Sequence, residues 1–373
     1  MEKIKEGIYW VGSDNPEGRN FHGISTPRGG SYNSYFIEDQ KSVLIDGANR
    51  PFIDKYLMEI DGAQIQYLVV NHTEPDHTGA INTIIEKTGA TIVCTAKAKE
   101  FLESMGINAE FRLVEDGEEL NIGKRTLQFL KCPMVHWPET MMTYVPEDKI
   151  LFSGDLYGTE IAHEALFADE YNDFSKLTRD YFAIVMRPVN ATVKKAIEKS
   201  RELEIQYIAP SHGPVHRDKR IMEYYEKLCN KPEENKVAIF YASIWYGTKG
   251  MAEEIAKGVR DTGAEAKIFD INSSNFIEMM AEAMTAKSVC IGSLTILGGY
   301  HPVFDGLFPF FKLNRQEKDV VVFGTHGWVP SAVPKLEKKA EELGWKVADS
   351  VDFRFGIGED ARLFQIGKNL GGG

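Results

Sequence analysis

The strict alternation of apolar strand-like runs and amphipathic helical stretches after residue 235 constrains this chain most. "KVAIFYA" (236–242) is followed by a helical pattern over 249–261 that places Ala252, Ile255, Ala256 and Val259 on one face. Gly263 suits the end of that helix. Strand "AKIFDI", helix 274–285, strand "SVCIGS", helix 302–312, strand "DVVVFGTHG", helix 331–343, strand "WKVADSV" and a helix near 359–368 continue the rhythm. Five strands alternating with helices predict a doubly wound parallel sheet, with ligands outside the carboxyl ends of its strands.

The earlier residues read differently. "GIYWVG", "SYNSYFIED", "KSVLIDG", "IQYLVVNH", "TIVCTA", "RTLQFLKCP", "MMTYVPED" and "KILFSGD" are short runs rich in Val, Ile, Tyr and Phe, bounded by turn formers. Helical patterns lie over 79–87 and 96–105, and a longer one near 173–204. Strand "IQYIAP" (205–210) and a polar helix around 217–229 follow. "NKPEEN" (230–235), with Pro, charges and no apolar residue, reads as a linker. A length of 373 residues fits two domains.

A formal net charge of −12 argues against nucleic acid and anionic membrane surfaces as partners. It suits an acidic protein that meets a positively charged patch. No run approaches the ~18 apolar residues of a membrane span, and "MEKIKEGIYW" has no apolar signal core. Cys94, Cys132, Cys229 and Cys290 form no C-x-x-C pair, so neither a thiolate zinc site nor a disulfide framework is indicated. Cys94 and Cys290 lie in apolar runs and read as core. A reducing cytoplasm is the expected location.

The chemistry concentrates in "VVNHTEPDHTGAI" (69–81), where His72, Glu74, Asp76 and His77 crowd together after an apolar run. Without a cation this set would repel itself and be costly to desolvate; a metal removes both problems. The spacing H-x-E-x-D-H suits two ions, with His72 and Glu74 turned to one and Asp76 and His77 to the other. His136, Asp155 and His212 each follow a further apolar strand. Singly, each is compatible with a cap or a core residue. Together they complete four histidines and three carboxylates, and Asp155 has two oxygens with which to bridge two ions.

On these residues the N-terminal part resembles the metallo-β-lactamase superfamily, an αββα sandwich with an H-x-[HE]-x-D-H motif. Glu74 at the third motif position, with "HWPET" and "LFSGD", resembles the flavodiiron proteins (A-type flavoproteins), whose C-terminal part is flavodoxin-like. The implied fold is α/β: an αββα metallo-β-lactamase-like diiron domain over 1–234, then a flavodoxin-like doubly wound five-stranded parallel sheet over 235–373. By motif match, His72, Glu74 and His136 would hold one iron, Asp76, His77 and His212 the other, and Asp155 would bridge. A carboxylate in place of imidazole makes the site harder and more negative, which favours iron or manganese over zinc.

The resemblance also implies FMN. "SIWYGT" (Ser243, Ile244, Trp245, Tyr246, Gly247, Thr248) leads straight into a helix without a G-x-G-x-x-G turn. Flavodoxins hold the FMN phosphate on such a hydroxyl-rich loop; here backbone N–H groups, Ser243 and Thr248 would donate to it. "GSLTILGGYHP" (292–302), with Ser293, Leu294, Thr295, Leu297, Gly298 and Gly299, and "GTHGW" (324–328), with Thr325, His326, Gly327 and Trp328, would flank the flavin ring. Trp245, Leu297 and Trp328 are its packing candidates. Leu294 stands where the family commonly has Pro, and "LGG" replaces an Asn-rich stretch. "RNFHG" (19–23) resembles a family loop over the diiron site, making Phe21 a pocket residue and His22 a second-layer proton source.

The implied activity is reduction of O2 to water, of NO to N2O, or both, at two irons per subunit fed through FMN. The implied assembly is a head-to-tail homodimer or a dimer of such dimers. With no C-x-x-C in this sequence no fused rubredoxin is expected, and the expected donor is a separate rubredoxin, a reduced deazaflavin or a nicotinamide-linked reductase. Two other readings compete: a dizinc hydrolase with a flavodoxin-like appendage, opposed by Glu74 and the flavin loops, and an electron carrier or redox sensor without a metal site, opposed by the filled ligand positions.

Overall fold

The computed structural model describes residues 1–18, 26, 28–172, 175–230, 234–313, 317–355 and 360–372. It divides into two compact units, Met1–Cys229 and Asn230–Gly373.

In the first unit, β1 (Glu2–Lys5), β2 (Ile8–Trp10), β3 (Ser13–Asn15), β4 (Gly30–Tyr32), β5 (Tyr35–Ile37), β6 (Ser42–Ile45), β7 (Ile65–Val69), β8 (Thr91–Cys94) and β9 (Phe111–Leu113) come first. They are followed by β10 (Glu119–Asn121), β11 (Thr126–Lys131), β12 (Met141–Val145), β13 (Ile150–Gly154) and β14 (Tyr207–Pro210). One sheet has the order β1-β2-β5-β6-β7-β8-β9, the other runs β10 to β14, and β3 pairs with β4. Strand alternation separates the faces. Val43, Ile45, Val69 and Val93 pack with Phe129, Met141 and Phe152 of the second sheet. Leu44, Leu68 and Ile92 turn the other way, onto Tyr56, Ile84 and Leu102 of helices Ile53–Glu59, Ile81–Thr88 and Ala96–Ser104. Helix Asn190–Arg201 lies beyond the second sheet, where Ser200 reaches Met142. This is the αββα sandwich.

In the second unit, β15 (Glu234–Ala242), β16 (Glu265–Asp270), β17 (Ala286–Leu294), β18 (Asp319–His326) and β19 (Lys346–Arg354) form a sheet ordered β16-β15-β17-β18-β19. Every pairing is parallel, the doubly wound arrangement. Val237, Ile239, Val321 and Phe323 pack under helices Gly247–Asp261 and Ala361–Gly372. Those helices touch backbone to backbone: a Cβ on Gly258 would strike the Phe364 carbonyl, and one on Gly367 the Ile255 carbonyl. The opposite face is aromatic, with Phe240 against Phe269 and Phe311, and Phe308 stacked on Phe304.

Sequence and structure part in a few places. Glu234 and Asn235, read as linker, already belong to β15. The helical stretch read near 173–204 is interrupted: helix Ser175–Tyr181 passes through a π turn and a 3-10 turn at Arg187–Val189 before the chain resumes at Asn190. Pro188 has no N–H to continue a helical ladder. Three-residue strands such as β3, β9 and β10 are too short for an alternation signal.

Candidate metal centre and flavin loops

All seven sequence-derived ligand candidates converge in the first unit. Each sits just past a strand or close to its end, where the backbone turns and side chains gather. His72 follows β7, and the loop after it is pinned: Asn71 N–H donates to Asp46 Oδ1 (2.8 Å), Asn71 Oδ1 accepts from Thr143 (2.8 Å), and Met141 N–H donates to the Asn71 carbonyl. Pro75 opens the one-turn helix Pro75–Thr78, which carries Asp76 and His77. Asp155 follows β13 and His212 follows β14.

The side chains form two groups, His72–Glu74–His136–Asp155 and Asp76–His77–His212. Asp155 faces both. Its Oδ2 lies 3.1 Å from His136 Nε2 and 3.6 Å from His72 Nε2, while its Oδ1 lies 3.2 Å from His77 Nε2 and 3.5 Å from His212 Nε2. Glu74 Oε2 is 3.3 Å from His72 Nε2 and 3.2 Å from His136 Nε2. Asp76 approaches His77 and His212 at 3.4 Å each.

His72, His77, Asp155 and His212 are buried, and burial has electrostatic consequences. For His77 the desolvation is outweighed by Asp76 and Asp155, and the imidazole is pushed up to about 9. His72 likewise rises well above its ordinary range, because Asp155, Glu139 and Glu74 outweigh burial. Asp155 resists burial through His77 and His72 and is held well below the carboxylate range. His212 goes down, with burial dominant.

The donor set fits two hard cations. Asp76 Oδ1, Asp155 Oδ1 and His77 Nε2 are buried with no hydrogen-bond partner among the described residues although they lie close together. Buried polar atoms are normally paired, and a cation would satisfy all three. Four imidazoles and three carboxylates with no thiolate suit iron or manganese.

Sequence reading missed the layer behind the ligands. Glu139 Oε1 bonds His72 Nδ1 (2.8 Å) and accepts from Thr73 N–H (3.0 Å) and Thr73 Oγ1 (2.7 Å). The Ser31 carbonyl accepts from His212 Nδ1 (2.7 Å), and Asn33 Nδ2 donates to the carbonyls of Pro210 and Gly213. Such partners fix imidazole tautomer and orientation. Glu139 was visible inside "HWPET", and a carboxylate three residues from a candidate ligand was its signal. Ser31 acts through its backbone, which no side-chain pattern encodes. Trp137 packs edge-on to His72 at 5.2 Å, and Tyr32 edge-on to His212 at 5.8 Å. Phe21 and His22 lie outside the described residues.

In the second unit, the three flavin-loop candidates leave the carboxyl ends of β15, β17 and β18, which are neighbours in the sheet. Trp245 is 84% exposed, Leu297 92% and Trp328 88%. Ordinary core packing therefore does not account for them, and Ile244 and Tyr246 are exposed as well. Helix Gly247–Asp261 begins after Tyr246 in the left-handed region and has no side-chain cap. Uncapped N–H groups beside large exposed apolar side chains fit a phosphate and a flat ring.

Thr248 behaves differently from Ser243. Its hydroxyl is buried and bonded to the Thr325 hydroxyl at 3.0 Å, so it ties two loops together, whereas Ser243 is half-buried. Thr295 Oγ1 accepts from the N–H groups of Ser331 and Ala332, and Ser293 Oγ from His301 N–H. Leu297 and Gly298, both at positive φ, close a two-residue turn in which Ile296 and Gly299 exchange hydrogen bonds at 2.9 Å. His326 Nδ1 bonds Asp352 Oδ1 (2.8 Å), and Gly327 O accepts from Arg354 Nε (2.9 Å). Leu294 ends β17 half-buried.

Comparison with known proteins divides the chain in the same way. The family model described as ODP family beta lactamase matches residues 31–213, and the Flavodoxin model matches residues 239–362. A β-lactamase-like metal domain joined to a flavodoxin is the class that fold and site define. Over 378 residues the chain is 35% identical to the anaerobic nitric oxide reductase flavorubredoxin of Escherichia coli, covering 96% of this chain and 79% of that protein. The flavodiiron protein of Giardia intestinalis matches with a TM-score of 0.95 at 31% identity, over 100% of this chain and 96% of that one. Rubredoxin oxygen:oxidoreductase of Desulfovibrio gigas matches with a TM-score of 0.93 at 29% identity, over 100% and 96%. The chain belongs to the flavodiiron protein family.

Proposed function

We propose that this chain is an oxidoreductase that reduces O2 to water, NO to N2O, or both, using FMN and two irons per chain. The observation that carries the reading is the pair of ligand groups meeting at Asp155, in a chain that also contains a flavodoxin domain. His72, Glu74 and His136 would hold one iron, Asp76, His77 and His212 the other, and Asp155 both. The irons would supply the binding positions and immediate electrons for the diatomic substrate, and FMN would replenish those electrons.

The chain's own residues supply the rest. Glu139 and the Ser31 carbonyl orient His72 and His212 so that each presents Nε2 inward. Trp137 and Tyr32 pack against those imidazoles and restrict their rotation. Trp245, Leu297 and Trp328 would pack on the flavin ring, and Ser243 with the N–H groups of 247–249 would bind its phosphate.

Electrons would come from a separate carrier: rubredoxin, a reduced deazaflavin or a nicotinamide-linked reductase. The working form would be a cytoplasmic head-to-tail homodimer, alone or paired. A mixed dimer tests this arrangement. One chain carries His72→Ala with His212→Ala, the other Ser243→Ala with Thr248→Val or a harsher change where FMN persists; each homodimer should be inactive, and restored activity in verified mixed dimers is expected. Persistent inactivity would refute transfer between subunits. The reaction itself is tested by metal and FMN analysis followed by steady-state consumption of each gas with reduced donors. Two zincs, no flavin and ester or thioester hydrolysis would overturn it in favour of a dizinc hydrolase.

A further inference from the structure

Among the described residues of the first unit, Asp46, Glu139 and Glu160 are buried carboxyl groups beside the segments that carry the ligand candidates. Asp46 accepts from Asn71 N–H, and Glu139 is bonded to His72 and Thr73. Glu160 is different. It is 9% exposed, and its Oε2 is shielded from solvent with no hydrogen-bond partner among the described residues; Glu139 Oε2 is also shielded and unpaired, but Glu139 Oε1 carries three hydrogen bonds. Room for it is made by Gly30, where a Cβ would collide with Glu160 Oε1. The segment is held against a ligand loop: Thr159 N–H donates to the His212 carbonyl (3.1 Å), and a Cβ on Gly213 would strike the Thr159 carbonyl.

A buried carboxylate without partners is costly, so such a group keeps its proton. Glu160 is pushed well above the ordinary carboxylate range, first by burial and then by the negative charges of Asp76 and Asp155. Iron would offset the charges of those two ligands but leave the burial in place. Thr159 bonds the His212 backbone, and Gly30 precedes Ser31, whose carbonyl holds His212 Nδ1; these contacts put Glu160 on the His212 side of the centre.

We propose that Glu160 is a proton-supplying residue of this centre, acting from the side of Asp76, His77 and His212. The inference rests on the reduction of O2 or NO proposed above. Either reaction consumes protons. O2 takes four electrons and four protons to give two waters; two NO take two electrons and two protons to give N2O and one water. The electrons come from the reduced carrier through FMN and the irons. The Glu160 O–H bond breaks, its proton goes to the oxygen being reduced, and the carboxylate left behind takes a proton from water. The unfavourable buried carboxylate drives that refilling.

The experiment uses the full holoprotein and the variants Glu160→Gln and Glu160→Asp. Infrared spectra in H2O and D2O should show a protonated-carboxyl band that shifts with deuterium and is missing from Glu160→Gln. That variant should keep its iron and FMN, lose turnover by roughly 10²-fold with donor in excess, and show an enlarged solvent isotope effect. Glu160→Asp, still an acid, should recover part of the rate. Unchanged turnover in Glu160→Gln, persistence of the band in that variant, or loss of iron from it overturns the proposal, the last by making the role structural. A wild-type protein that shows the band but consumes neither gas refutes the proposed reaction instead, and this role with it.

Discussion

The candidate metal centre and the candidate flavin loops would solve the same problem, holding a cofactor, in opposite ways. At the metal centre the ligands are buried, and His72 and His212 each have a second partner behind them. At the flavin loops the large apolar side chains stand out in solvent. The difference follows from what each cofactor must overcome. Seven charged or polar ligand candidates must be taken out of water together, so the fold must pack them in place before an ion arrives. A flavin brings its own large apolar face, so its loops need only present matching surface and N–H groups. The first region is held by the protein, and the second would be completed by its ligand.

That contrast can be broken by mutation, beginning with its strongest element. Asp155→Ala removes the carboxylate that faces both ligand groups. One or both irons should be lost while FMN content stays unchanged; a full iron pair by metal analysis would remove Asp155 from the bridging role. Next comes Glu139→Gln, which weakens the anchoring of His72 and leaves the Thr73 contacts imperfect. Iron affinity should fall roughly 10–100-fold, the usual cost of losing a partner behind a metal ligand. Equal affinity in a chelator competition would show that the buried layer is dispensable.

Protonation sharpens the same contrast. His77, pushed up to about 9, and His72, held well above its ordinary range, are protonated at neutral pH in iron-free protein, whereas ligation needs them neutral. Iron uptake should therefore release protons, and apparent affinity should climb as pH rises toward about 9. FMN uptake should release far fewer. A pH-independent iron affinity between neutrality and that value would contradict the charge arrangement.

The flavin region should respond more weakly. Thr248→Val leaves the Thr325 hydroxyl without its partner, which should cost about 1 kcal/mol of stability in chemical denaturation. Trp328→Ala should be the mildest change. FMN affinity should drop about fivefold, the worth of one aromatic contact, with stability of the FMN-free chain unchanged within about 0.5 kcal/mol. A large loss of stability would mean that Trp328 is structural despite its exposure.

Much of this was legible in the chain because it rests on local periodicity. The alternation after residue 235 needs only neighbours in sequence to appear, and the five parallel strands follow it closely. His72, Glu74, Asp76 and His77 announce themselves because such a cluster makes little physical sense without a cation. His136, Asp155 and His212 were legible as residues placed just beyond apolar strands. The short strands and the break at Pro188 were not, since three residues carry no period and a helix can tolerate its ending in several ways.

By itself, then, the sequence determined which side chains are available to each cofactor and which elements carry them, because residue chemistry and hydrophobic period are local properties. Tertiary structure alone decided how those side chains are partnered. Glu139 meets His72 across 67 residues, and the Ser31 carbonyl meets His212 across 181. Thr248 meets Thr325 across 77 residues, and Glu160 is buried against Gly30. Burial and pairing are set by chain segments distant in sequence, and they decide which carboxyl is paired, which lacks a partner among the described residues and which aromatic ring remains in water.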